Sequence, residues 1–142
     1  MRRSLWVATA LALTSSIALA RTVQSHWMGA VKGMDGAATT GTAAMMAGKS
    51  VNTTEVTIDL KGETAGITRP WHVHVGSCAK GGGVLGGGRA YTPITIDLKG
   101  NGSSTATLAI ALPDTGSYYV NVHESSENMG KIVACGDLSS GK

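Results

Sequence analysis

Phenylalanine is absent from the 142 residues, and the large aromatics amount to three tryptophans and three tyrosines. With so few rings to bury, a covalent tie between distant segments is expected to matter to stability. Charge is sparse too, at 15% of residues. No basic run lies outside the first few positions, which argues against nucleic-acid binding. No stretch carries a helical hydrophobic period, and the glycine-rich segment 81–88 lacks the GxxxxGK[ST] or GxGxxG context of a phosphate loop.

The first twenty residues have a separate character. Arg2-Arg3 precede a mostly apolar run from Leu5 to Leu19, which ends in Ala18-Leu19-Ala20. A charged start, an apolar middle and a small-x-small end predict a secretory signal peptide over 1–20. The run is short and rich in Ser, Thr and Ala for a membrane span. The arginine pair also leaves the twin-arginine route open beside general export. Residues 21–142 are then roughly 120 in number, which suits one domain. Without Arg2 and Arg3, the 12 basic residues are nearly balanced by the 9 acidic ones.

The expected compartment is periplasmic or extracellular, so the only two cysteines, Cys78 and Cys135, are expected to form a disulfide rather than ligate metal as thiolates. Such a bridge restricts the unfolded chain by roughly 4 kcal/mol on the loop-entropy account.

Period-two alternation runs along the mature chain. Strands are expected at Thr22–Lys32, Thr42–Ala47, Thr54–Leu60, Arg69–Val75, Thr92–Leu98, Ser104–Leu112, Ser117–His123 and Lys131–Leu138. Met34-Asp35-Gly36, Gly100-Asn101-Gly102 and Pro113–Gly116 mark turns, and Cys78–Gly88 reads as a flexible loop. The hexapeptide Thr57–Gly62 recurs as Thr95–Gly100, which suggests equivalent strand ends in one sheet. About eight short strands predict an all-β sandwich or barrel. The methionines are expected mainly as core filler.

The chemistry gathers in Arg69–Cys78. On a strand Trp71, Val73 and Val75 point one way and His72 and His74 the other, close enough for both imidazoles to reach one ion. The stretch Ser117–His123 repeats the pattern, with Val120 and Val122 on one face and Tyr119, Asn121 and His123 on the opposite one. Three histidines from two strands make a neutral nitrogen triad suited to copper or zinc. Tyr119 and Asn121 are the expected supporting residues around it. Trp71 is expected in the core beneath the site and Tyr119 beside His123. His26 reads as a solvated strand residue, and Glu124 as pointing away.

The ordered set Trp-His-Val-His, a cysteine, Val-His-Glu and a terminal Val-Ala-Cys-Gly-Asp-Leu closely resembles the Cu/Zn superoxide dismutase family over residues 22–140. The resemblance implies an eight-stranded, flattened Greek-key β-barrel with the metal site on its outer wall. It implies that His72, His74 and His123 match copper ligands, and that Cys78 and Cys135 match the intrasubunit disulfide. The departures are specific. Residues 78–92 hold no His, Asp or Glu, so the bridging imidazole and the zinc site are missing. Asp97 reads as an exposed carboxylate like its twin Asp59. The loop between His123 and the last strand is short, and no position matches the family's superoxide-attracting arginine.

The resulting expectation is an exported protein with one copper ion, acting on superoxide, with no catalytic residue beyond the metal ligands. A copper buffer or carrier with copper ions as partners is the alternative. A metal-free interaction module is the third, since Tyr118–Leu138 also resembles the chordin-type domain of the same superfamily.

Overall fold

The computed structural model describes residues 25–141. The expected leader over 1–20 and the first residues of the first expected strand lie outside them. The described chain is all-β, with nine strands: β1 (His26–Gly33), β2 (Thr40–Ala47), β3 (Thr54–Lys61), β4 (Thr68–Arg69), β5 (Trp71–Val75), β6 (Ile94–Thr95), β7 (Gly102–Leu108), β8 (Tyr118–His123) and β9 (Ile132–Gly141). Seven form one antiparallel sheet in the order β5-β8-β9-β1-β2-β3-β7, and β4 pairs with β6 alone. After the β1-β2-β3 meander the chain crosses to the far edge as β5, returns as β7, and crosses again to β8. These crossings are of the Greek-key kind.

The sheet curls into a half-barrel, and the segment after β5 closes the gap between its edges. The Thr92 carbonyl accepts from Trp71 Nε1 on β5 at 2.8 Å and from Ser104 Oγ on β7 at 2.6 Å. Inside the curl lie Val31, Met45, Val56, Ile58, Leu60, Trp71, Val73, Leu108, Val120 and Val122. Each stands on the apolar side of its strand's alternation, and Trp27, Tyr91 and Tyr118 are buried with them. Asp35 and Gly36 turn β1 into β2 with φ of 53° and 81°, and Ala37 N–H donates to Met34 O. Positive φ at both central positions suits the twist of a hairpin, which explains Asp-Gly there.

Several strand expectations need correction. Arg69–Val75 is two strands in two sheets, because Pro70 has no N–H to give a continuous ladder. Thr92–Leu98 shrinks to Ile94–Thr95, and nine strands replace eight. The repeated hexapeptides are not equivalent strand ends in one sheet: the first lies in β3, the second runs from β6 into a turn. Their closing glycines nevertheless meet the same stretch of chain, since Glu63 N–H, just after Gly62, donates to Gly100 O at 3.1 Å. Met45 is fully buried, whereas Met28, Met34, Met46 and Met129 are exposed, so core filling describes one of these five. Val75 is exposed as well, and the apolar face of β5 ends at Val73.

The Gly-rich loop is bound to the edge of β5 rather than loose. Val75 N–H donates to Gly83 O at 2.9 Å and Leu85 N–H to Val73 O at 2.8 Å, while His74 and Val84 face each other as a bridge. Gly82 has a specific reason: a Cβ there would stand 1.6 Å from Val75 O. Close backbone approach to β5 excludes any side chain. Cys78 and Cys135 form a disulfide with their Cα atoms 6.1 Å apart, tying the start of this loop to β9.

Candidate metal centre

His72 and His74 lie on β5, the edge strand beside β8. The register sets Trp71 opposite Val122, His72 opposite Asn121 and His74 opposite Tyr119. His123 is therefore the diagonal neighbour of His72 on the same face, within reach of a long side chain. At His123 the pairing of β8 with β9 shifts register, the local irregularity by which a bulge re-aims a side chain. His123 N–H donates to Pro70 O at 2.8 Å, so the residue that interrupts β5's ladder still receives the chain carrying the third histidine.

One ligand atom from each of His72, His74 and His123 lies within 4.8 Å of the others. The three face away from the apolar interior yet are covered, His74 being 8% and His123 5% exposed. Loops on either side provide the cover. His74 Nδ1 donates to Gly82 O at 2.9 Å and His123 Nδ1 donates to Met129 O at 2.7 Å. A carbonyl can only accept, so both rings carry hydrogen on Nδ1 and present the Nε2 lone pair. His74 Nε2 is buried with no partner in the protein. A buried unpartnered acceptor costs stability unless something occupies the space before it.

His72 differs. Its Nδ1 is 3.1 Å from His123 Nε2, and with the hydrogen of His123 on Nδ1, His72 Nδ1–H is the donor. Coordination through His72 Nδ1 requires that hydrogen to be released, with Nε2 free to carry one in its place. Nε2 faces Gly88, where a Cβ would stand 3.3 Å away. Burial first, then the adjacent His123 and His74, push the His72 pKa from 6.5 down to about 4. Burial likewise lowers that of His123, against an opposing pull from the Met129 carbonyl. Protonation of His72 and His123 is thus disfavoured, which leaves their nitrogens available to a cation at neutral pH. Imidazoles whose second nitrogens are fixed on carbonyls, as at His74 and His123, are donors of the kind that copper or zinc takes.

Around the triad, Tyr119 stacks on His74 with ring centres 5.0 Å apart. It was expected beside His123, and the cross-strand pairing with His74 decides otherwise. Burial raises the Tyr119 pKa, with Gly82 and Asn121 pulling the opposite way. Asn121 is buried on the same face. Trp71 is core, as expected, and meets Tyr91 edge-on at 5.1 Å; Tyr91 also packs edge-on against His72 at 5.3 Å. His26 lies at the far end of β1, its ring over Gly141. Asp97 is exposed and accepts from Lys99 and Asn101 N–H, a turn-forming role. Glu124 is directed out toward Lys131 and Asn128.

Sequence reasoning missed the carbonyls of Gly82 and Met129 and the ring of Tyr91. Carbonyls leave no trace in residue type. Tyr91, a lone aromatic at the end of a glycine-rich run, was the one available signal. No protein-family model matches the chain, and no curated protein is significantly similar to it.

Proposed function

We propose that the protein is an exported copper protein whose single ion is held by His72, His74 and His123, and that its reaction is the dismutation of superoxide. The observation that carries this reading is the buried, unpartnered Nε2 of His74 pointing among two other imidazole nitrogens. Copper in such a site supplies one-electron oxidation and reduction. The chain's own contribution is positional. Gly82 O and Met129 O orient two rings, Tyr91 and Tyr119 wall the site, and burial disfavours the protonated forms of His72 and His123. The covering loops leave His72 the most accessible of the three, and a small anion approaches from its side.

The test is direct. Protein loaded with one equivalent of copper is expected to remove superoxide far faster than its His123→Ala variant under the same loading. Equal rates would end the dismutase reading.

A copper carrier is the second reading, and a specific observation favours it. Arg69 is engaged by Glu63 and Lys131 by Glu124, so neither of these cations beside the His123 loop is left to draw in an anion. Stoichiometric copper binding that is lost in His72→Ala/His74→Ala, with no dismutation by the natural protein, would select it.

A further inference from the structure

We infer that Arg69 is a positioning residue for His123. The inference rests on the three-histidine reading of the site for its functional meaning, though its geometry stands alone. Arg69 closes β4 directly before Pro70. Its Nε and Nη2 donate to Glu63 Oε2 at 2.9 and 2.8 Å, and the other carboxylate oxygen accepts from Thr39 Oγ1 at 2.8 Å. The two side chains are 14% and 2% exposed. A carboxylate so far from water persists only with its oxygens satisfied, and here both have donors.

The ion pair uses one side of the guanidinium. The remaining branch, Nη1, donates at 2.7 Å to the carbonyl of Glu124, the residue immediately after His123. The N–H of the same residue donates to Lys131 O at 2.9 Å. The residue that follows His123 is thus held at both of its backbone polar groups, just past the register shift where β8 leaves the regular ladder. Glu63 and Thr39 anchor the guanidinium from the opposite side, and Arg69 transmits that fixed point to His123. The planar fork is needed for this: a lysine reaches Glu63 or the Glu124 carbonyl, but does not span both.

The experiment uses the full chain in four forms: natural, Arg69→Lys, Glu63→Gln, and Glu63→Gln/Arg69→Met. The double variant leaves no unpaired buried charge, so its folding is not at issue. Three quantities are read: copper(II) affinity by chelator competition, the electron paramagnetic resonance spectrum of the copper(II) form, and hydrogen exchange at the Glu124 amide without metal. Arg69→Lys and the double variant are expected to bind copper roughly 10–100-fold more weakly, the usual cost of losing an outer support. Their spectra change and Glu124 exchanges faster. Glu63→Gln keeps an acceptor for Arg69 but removes its counter-charge, and is expected to fall between the natural protein and the Arg69 variants in copper affinity and Glu124 exchange. Natural affinity, spectrum and Glu124 exchange in both Arg69 variants would overturn the inference. Failure of the natural protein to bind copper would overturn the metal reading instead. Glu124 exchange then still decides whether Arg69 holds the His123 segment.

Discussion

The two sides of the histidine cluster are held by different means. His74 takes its orientation from Gly82, in a loop that is laid along β5 and tied to β9 through Cys78–Cys135. His123 takes its orientation from Met129, in a turn with no covalent tie, fixed by Arg69, Lys131 and Pro70 through hydrogen bonds. One wall of the site is covalently stapled and the other is held by polar contacts. The staple is independent of pH over the ordinary range, whereas the contacts depend on charges and lone pairs. The His74 side should therefore answer to reductant and to backbone substitutions, and the His123 side to the Arg69 network.

The largest effect is expected from removing the staple. Cys78→Ser/Cys135→Ser should lower stability by roughly 4 kcal/mol, the loop-entropy value for a bridge of this span, measured by urea unfolding with the slope fitted for each form, since releasing the bridge lets the unfolded chain expand. A loss below about 1 kcal/mol would mean that the folded loop is held by its hydrogen bonds to β5 instead. Removing a ligand comes next. His72→Ala, His74→Ala and His123→Ala should each weaken copper binding by more than the roughly 10–100-fold typical of an outer support, as read by chelator competition. An unaffected variant would strike that histidine from the site.

A narrower test separates the loop from the staple. Gly82→Ala puts a Cβ where Val75 O stands, while a Cβ at Gly83 meets nothing within 4 Å. The first should displace the carbonyl that orients His74 and weaken copper binding with the disulfide intact. The second should leave affinity unchanged. Equal effects would show that composition of the loop, rather than contact with β5, is what counts.

Acid provides the fourth test. His72 has a folded pKa of about 4 against an ordinary value of 6.5, so between these limits the unfolded chain binds more protons than the folded one. Stability of the metal-free protein is then fully present above pH 6.5 and declines as pH falls toward 4. His72→Gln should flatten that limb, and an unchanged slope would remove His72 as its source. The smallest effect is expected from Glu124→Gln, which touches only the exposed contacts with Lys131 and Asn128 and should leave both the urea midpoint and copper affinity where they are.

Much of the fold was legible because period-two alternation is a local property. Trp27, Val31, Val56, Ile58, Leu60, Val120 and Val122 all fall on the buried faces their alternation assigns. The errors lie where a neighbour overrode the local pattern. Val75 alternates correctly but stands past the covered part of the sheet. Met28 and Met46 are apolar residues on an outer face that no layer covers. Segment 81–88 looks loose in composition, yet β5 supplies an unpaired edge for it to bind. In the site, the imidazoles were legible from spacing and from the family resemblance. Their orientation was not, because Gly82 and Met129 act through carbonyls that every residue possesses.

The sequence alone determined the all-β class, the outward face shared by the three histidines and the identity of the disulfide pair. Alternation, side-chain chemistry and the presence of only two cysteines require no knowledge of distant neighbours. Tertiary structure alone decided that one nitrogen from each of the three histidines lies within 4.8 Å of the others, that two loops cover them, and that Arg69 reaches the carbonyl of Glu124. Each of these depends on which backbone atoms the crossing connections bring together across the sheet, and proximity between distant segments is a property of the folded chain.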